Sequence, residues 1–479
     1  MKINNNMSAK ITNKQLLRIE NSMTATMERL SSGLKLNHAK DNPAGMAISN
    51  KMRAQIDGLD RASANASDGI SVLNIADGAL NETSSILQRM RELSVQAAND
   101  TNSLAEREAI QKEIDALKEE VNRISTDTEY NAMPLLDGTM NTRVYADNVT
   151  RIQTSNFVEK GHYVVEITSA AEQAQLTMAS GIDFTSTAAA GVEGSLSING
   201  SKVDISATDT GVEIFEKIRE AAELGETDVE LSGTNTIELA SDRYGLGGEI
   251  SITSDSAALL GTLGLTGTLD TETNQYVVPT EKGVDAVVDL KKGDYTMADG
   301  TEVESRFGNT ATVELVGNKV IITDKDGFSM SFLAKEGYTG EIDFDVTDIG
   351  TMTLHIGANE DQNIEVRIPE ISSESLYIDD IDVRTVNGAG RAMATLDAAI
   401  AQLSEARSQI GAYTNRLEYS VSSLDAFEEN MTSALSRLAD ADMAQEMTDY
   451  TQESVLNQAA ISVLTQANEM PQQVLQLLQ

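Results

Sequence analysis

Apolar residues recurring every three or four positions at both ends of the chain restrict its fold more than any other feature, because that spacing sets them along one helix face. Leu16, Ile19, Met23, Met27, Leu30 and Leu34 form a first stripe. Ile48, Met52, Ile56 and Leu59 open a second, continued by Ala62, Ala66, Ile70, Leu73, Leu80, Leu87, Met90 and Leu93. That second helix is expected to exceed about 50 residues, or about 75 Å at 1.5 Å per residue. Asp41-Asn42-Pro43 separates the two, with Asn42 or Asp41 as N-cap and Pro43 where its missing N–H costs nothing.

Ser103-Leu104-Ala105-Glu106 reads as a capping box for a third helix, whose stripe is Ile110, Ile114, Leu117, Val121 and Ile124. The C-terminal part, from about residue 388 to 468, mirrors this pattern. Leu396, Ile400, Leu403, Ile410, Leu417, Val421, Leu424, Met431, Leu435 and Leu438 keep heptad spacing, interrupted by Arg407 and Thr414. Met443, Met447, Tyr450, Ile461 and Leu464 extend it until Pro471, which is expected to stop the helix. Gly58, Gly69 and Gly78 fall inside the long second helix, where each costs about 1 kcal/mol relative to Ala. They predict either an interruption or a close backbone approach.

The middle changes character. It is rich in Gly, Thr, Ser and Asp, with short alternating runs at Tyr163 to Thr168, Ser195 to Asn199, Val313 to Val316 and Val320 to Thr323. Gly317-Asn318 between the last two predicts a hairpin, and Ile214 to Ala221 is a helix within this zone. The expected fold is multidomain. An all-α coiled-coil or helical-bundle core comes from the N- and C-terminal segments, and a β-rich (α+β) insertion lies between them.

Helices with a single stripe cannot bury enough surface alone, so the two ends need partners. Residues 1–61 carry ten Lys or Arg against five acids, and residues 431–479 one Arg against six acids. Net charges of +5 and −5 favour pairing of the two ends, although each exposed ion pair is worth only about 0 to 1 kcal/mol. An assembly seam is therefore expected from Leu16, Ile19, Met23 and Leu30 against Met443, Met447, Tyr450, Ile461 and Leu464.

Composition excludes several classes of function. The formal charge is −39, which opposes the clustered Lys and Arg that phosphate-backbone binding needs, so nucleic acid is not an expected partner. There is no Cys, hence no disulfide, thiolate metal site or cysteine nucleophile. No apolar run approaches the roughly 20 residues of a membrane span. No apolar segment with a cleavage site follows Met1-Lys2-Ile3-Asn4-Asn5-Asn6-Met7, so export would use a route without a cleaved signal. Aromatics make up 4% and Met numbers 18, which suits long helical seams filled by Leu, Ile, Val, Ala and Met. His38, His162 and His355 are far apart, and neither a His-Glu-x-x-His nor a Gly-Lys-Ser/Thr pattern occurs. Asp379-Asp380 and Asp324 with Asp326 lack the twelve-residue calcium-loop pattern. No enzyme activity, cofactor or metal is expected.

The run from Glu28 to Ser49, Glu-Arg-Leu-Ser-Ser-Gly-Leu-Lys-Leu-Asn-His-Ala-Lys-Asp-Asn-Pro-Ala-Gly-Met-Ala-Ile-Ser, closely resembles the N-terminal signature of bacterial flagellins. Leu87 to Asp100, Tyr130 to Gly138 and Ser433 to Leu478, with Ala441-Asp442-Met443-Ala444 and Gln472-Gln473-Val474-Leu475, resemble the same family. The resemblance spans about residues 1–140 and 350–479. Ser197-Ile198-Asn199-Gly200 and Gly261-Thr262-Leu263-Gly264-Leu265 are similar to a motif of flagellin and hook-protein insertions, whereas Met1 to Lys14 departs from the commoner flagellin start.

The resemblance implies a structural subunit of the flagellar filament, a homopolymer built through the paired terminal helices and serving motility. It implies an inner coiled-coil domain of residues 1–42 and 435–479, and a rod-like helical domain with a β-hairpin region of residues 43–170 and 348–434. An outer insertion of one or two subdomains would take residues 171–347. It further implies secretion to the extracellular flagellum through the export channel, with an export chaperone and the filament cap as partners. Recognition by Toll-like receptor 5 would follow at Arg89, Leu93 and Gln96, which lie 4 and 3 apart on one helix face, and at Glu113 on the next helix. An adhesin or a hook–filament junction protein of the same lineage would share the helical ends, but the match through Leu478 favours the filament subunit.

Overall fold

The computed structural model describes residues 6–477 apart from 156, 272, 274, 299 and 348, and only the backbone of 326 and 471–477. The expectations resting on Met1 to Asn5 and on Leu478 lie outside the described residues. Helices α1 (Met7–Ser32), α2 (Pro43–Ala97), α3 (Leu104–Asp127), α6 (Val386–Ala439) and α7 (Met443–Leu477) come from the two ends, and α4 (Gly211–Leu224) and the short α5 (Ala257–Thr262) from the middle. The chain divides into two compact units. One comprises residues 1–70, 354–364 and 416–479, and the other 71–353 and 365–415.

In the first unit, Asn42 caps α2 by accepting from the Gly45 N–H at 2.9 Å, and Pro43 takes the first helical position. The helix then runs 55 residues without interruption, through all three glycines. Gly58 and Gly69 are sites of close approach. A Cβ would stand 3.0 Å from the Ala358 Cβ at Gly58 and 2.4 Å from the Leu354 Cδ1 at Gly69. Gly78 has nothing within 4 Å, and no contact accounts for it.

Two helix ends differ from expectation. Helix α1 stops at Ser32 because Gly33 takes φ +72° and its N–H returns to the Arg29 carbonyl at 2.8 Å, which leaves Leu34 outside the helix. Helix α7 does not stop at Pro471 but continues to Leu477. A proline in a helix normally leaves the carbonyl four residues earlier without its donor. Here that carbonyl, of Ala467, accepts instead from the Asn6 side-chain amide at 2.8 Å.

In the second unit the stripe of α2 is dry: Leu73, Leu80, Leu87 and Met90 are fully buried. Ile110, Ile114 and Val121 of α3 and Leu396, Leu403 and Ile410 of α6 are buried as well. Both hydrogen bonds of the Ser103–Glu106 capping box form at the start of α3. Arg407, a polar interruption in the α6 heptads, reaches Asp77 of α2 at 2.9 Å.

Two separate apolar cores form between α3 and α6, the second of which draws on strand 161–169 ahead of the expected insertion bounds. Two sheets surround the first: strands 173–179, 236–244 and 227–232 in one, and 268–270, 275–277, 252–254, 194–198 and 201–205 in the other. Ile214, Ile218 and Ala222 of α4 pack into that core with Ile198, Leu239, Ile252 and Leu260. The second core takes Tyr163, Val165 and Ile167 from strand 161–169 together with Val320, Ile322, Phe332 and Phe344. The hairpin joins Val316 to Lys319 across Gly317-Asn318, and Gly317 sits at φ +67° as the first loop residue.

Leu87→Ala, which opens a fully buried site, should cost about 2 to 5 kcal/mol in urea unfolding, whereas Val95→Ala at a half-exposed site should stay within about 1 kcal/mol. Ser103→Ala, which breaks the capping box, should lower stability by about 1 kcal/mol in the same measurement.

Candidate functional site

Helices α1 and α7 pack along one narrow seam inside the first unit. On α1 a row of half-buried or buried positions runs Ala9, Thr12, Leu16, Ile19, Met23, Thr26 and Leu30, alternating by three and four, with Glu28 and Arg29 half-buried beside its end. On α7 the row is Glu446, Tyr450, Glu453, Asn457, Ala460, Leu464 and Ala467, with the same alternation, and Asp449 and Ser454 are half-buried beside it. Leu16, Ile19, Met23, Leu30, Tyr450 and Leu464 are among these positions.

Met443, Met447 and Ile461 do not. They are 46 to 49% exposed and face away from α1. Two helices in contact can bury only two positions per heptad. Met447 and Ile461 each follow the Glu446–Glu453–Ala460–Ala467 row by one residue, a rotation of about 100°. Met443 keeps the Tyr450–Leu464 row but lies level with the end of α1, where the chain turns away at Gly33. Met27 is displaced from the seam in the same manner, one residue after Thr26, and is half exposed.

Polar groups occupy one end of the seam. Thr26, 1% exposed, donates its hydroxyl to Glu453 Oε2 at 3.0 Å, and Arg29 Nε lies 3.0 Å from Glu446 Oε1. This ion pair joins the basic and acidic ends that the charge counts oppose. It is not fully satisfied: Arg29 Nε is not aligned for a hydrogen bond, and Glu446 Oε2 is buried without a partner. Beyond it the chain segments meet as a minimal antiparallel bridge, with Leu34 opposite Asp440, Lys35 N–H donating to Ala439 O at 2.7 Å and Ala441 N–H to Gly33 O at 2.9 Å. Apolarity alone could not locate Thr26, Arg29, Glu446 and Glu453 in the seam. Heptad positions counted without regard to polarity would have found Thr26, Glu446 and Glu453, whereas Arg29 lies one residue off the row.

Outside the seam both helices expose large apolar side chains. Met7, Ile11 and Leu17 do so on α1, and Val455, Leu456, Val463 and Met470 on α7, each 45 to 66% exposed. So many large exposed apolar side chains on two neighbouring helices leave apolar surface that further chains could cover.

The receptor-facing candidates divide within the second unit. Arg89 donates to Glu113 Oε1 through Nε at 3.1 Å and Nη2 at 2.7 Å, and also reaches Glu92 at 3.4 Å. Its side chain is 50% exposed, and the hydrogen bond to Glu113 holds the guanidinium above its ordinary value. Gln96 is exposed. Leu93 is 2% exposed, which corrects its place in the set: it belongs to the stripe of Leu87 and Met90 and packs inward.

The described histidines and paired acids each have an ordinary partner. His38 pairs with Glu28 at 2.6 Å, His162 with Asp343 at 2.8 Å, and His355 with Asn363 at 2.6 Å. Asp379 is held by Arg151 at 2.6 Å, and Asp324 accepts from the Lys325 N–H at 2.7 Å. Among the described residues no cluster of His, Asp or Glu is placed to hold a metal, and no helix is long and apolar enough to cross a membrane.

Comparison with known proteins agrees with this organisation. Residues 3–141 match the bacterial flagellin N-terminal helical region, and residues 393–478 the bacterial flagellin C-terminal helical region. A flagellin of Clostridium tyrobutyricum is 31% identical over 480 residues, covering 98% of this chain and 100% of its own. Polar flagellin B/D of Vibrio parahaemolyticus is 30% identical over 479 residues, covering 99% of both chains. A flagellin of Salmonella typhimurium is 31% identical over 519 residues, again covering 99% of both. The chain belongs to the flagellin family and is a structural subunit of the bacterial flagellar filament rather than an enzyme.

Proposed function

We propose that the α1–α7 pair is the element through which identical chains self-assemble. Leu16, Ile19, Met23, Leu30, Tyr450 and Leu464 hold the pair together, and Met443, Met447 and Ile461 meet neighbouring copies. The observation that carries this reading is the row of large exposed apolar side chains on two helices already paired with each other. The ordering cost of such narrow helices is offset only when neighbours cover them, which suits passage through the export channel before folding at the filament tip.

On this reading residues 1–42 and 435–479 are the inner domain of the subunit, 43–170 and 348–434 its rod, and 171–347 its surface insertion. The subunit is secreted to the extracellular flagellum and serves motility. An export chaperone engages it before assembly, and the filament cap receives it. Purified protein seeded with filament fragments should elongate into long filaments under negative-stain electron microscopy. The chain lacking residues 440–479 should stay monomeric in the same assay; polymerisation of that truncation would refute the mechanism.

We infer in addition that Arg89, Gln96 and Glu113 form a contact surface for Toll-like receptor 5, with Leu93 supporting it from beneath. An exposed Arg fixed in position by Glu113 supports this, since a pre-ordered Arg is a common binding hot spot. The Arg89→Ala, Glu113→Ala double variant should bind the receptor ectodomain at least about ten-fold more weakly in surface plasmon resonance, and undiminished binding would remove these residues from the site.

A further inference from the structure

The subdomain around the first core, residues 173–282, is joined to the second core by two short linkers. Strand 161–169 leads into it and strand 287–290 follows it, and these two strands pair with each other. The linkers meet at a single bridge, with Glu172 N–H donating to Val284 O at 2.9 Å and Val284 N–H to Glu172 O at 3.0 Å. One narrow bridge between two packed bodies is the arrangement of a hinge. On the second linker, Asp285 Oδ1 accepts from the Leu246 N–H at 2.8 Å and the Gly317 N–H at 3.0 Å, which ties the pivot to both bodies.

Turns that neither linker contains carry a separate contact with α6. Asn199 and Gly200 form the hairpin turn between strands 194–198 and 201–205, at φ +48° and +88°. The buried Asn199 side chain serves its own subdomain: Nδ2 donates to Gly225 O at 2.9 Å and Glu249 O at 3.0 Å, and Oδ1 accepts the Ser251 N–H at 2.8 Å. It thereby fixes the Gly225-Glu226 turn beside its own. Glu226 takes φ +53°, a region that residues with a Cβ rarely enter unless their surroundings hold them there. Its carboxylate, 15% exposed, accepts from Arg243 Nε at 2.8 Å and forms an ion pair with Arg391 Nη2 of α6 at 2.6 Å. Asn387, one helical turn before Arg391, donates its Nδ2 to Asn199 O at 3.4 Å. Glu226 and Arg391 are both largely withdrawn from water, so breaking the pair leaves two poorly solvated charges.

We propose that the Ile198-Asn199-Gly200 turn and Glu226 form a latch, which holds this subdomain against the first turns of α6 and stops it swinging about the Glu172–Val284 bridge. The Asn199 side chain sets the neighbouring turn, and its carbonyl meets the helix. Glu226 is the carboxylate that one arginine from each body shares.

The chain has no Cys, so spin labels can be placed on two introduced cysteines without background. Ala207→Cys in the subdomain and Ala401→Cys on α6 are exposed positions for them. In the full-length monomer, double electron–electron resonance should give one narrow distance peak. The Asn387→Ala, Arg391→Ala double variant should lose that peak to a broad distribution, while the Ile237 and Leu239 amides of the core keep their protection from hydrogen exchange. Glu226→Gln, which removes the charge and keeps the shape, should broaden the peak in the same way. A broad distribution with the latch intact, or a narrow peak that survives in either variant, would overturn the proposal.

Discussion

The fold of the first unit depends on apolar stripes supplied by opposite ends of one chain. Neither α1 nor α7 has a face wide enough to bury itself, and most helical stability comes from packing of such a face rather than from propensity. Each exists because the other covers one side of it. The contact is narrow, two positions per heptad, so the remaining apolar surface of both helices stays open. Stability of the pair and readiness to bind other chains thus arise from the same geometric limit.

The two units solve the burial problem differently. In the second, α2, α3 and α6 hold fully dry stripes, and the insertion adds two β-rich cores with their own aromatic clusters, such as Phe332 against Phe344 at 4.6 Å between ring centroids. In the first, only Leu36, Leu59, Ala62, Ala66 and a few others reach full burial. The seam of α1 and α7 is mostly half-buried and carries Thr, Glu and Arg where a stable core would carry Leu.

Much of this was legible in the chain. The start of α2 followed from Asn42-Pro43, the start of α3 from Ser103 and Glu106, and the hairpin from Gly317-Asn318, because each is decided within four residues. The opposed charges of the two ends identified the pairing, and Arg29 with Glu446 realises it. What escaped was the rotation of the helices. Met443, Met447 and Ile461 fit an apolar stripe, but which edge of a stripe meets the partner is decided by the partner. Leu93 was misread for the same reason in reverse: its spacing from Arg89 and Gln96 placed it on their face, and the packing of α2 drew it inward. The second core of the insertion was hidden because strands 161–169 and 340–346 pair across nearly 180 residues, a separation over which no local pattern carries information.

Pro471 and Asn6 tie the extremities together in a further way. Asn6 accepts the Ala9 N–H to open α1, and with its amide it donates to the carbonyl that Pro471 leaves vacant, 461 positions away. One side chain therefore finishes two helices at once. The defect built into the tail is mended only by the head, so a polypeptide cut short at either extremity, or not yet fully emerged, holds an imperfect turn. Mutations at the sixth position and at the proline should accordingly be inherited as a pair, each tolerable chiefly in the company of the other.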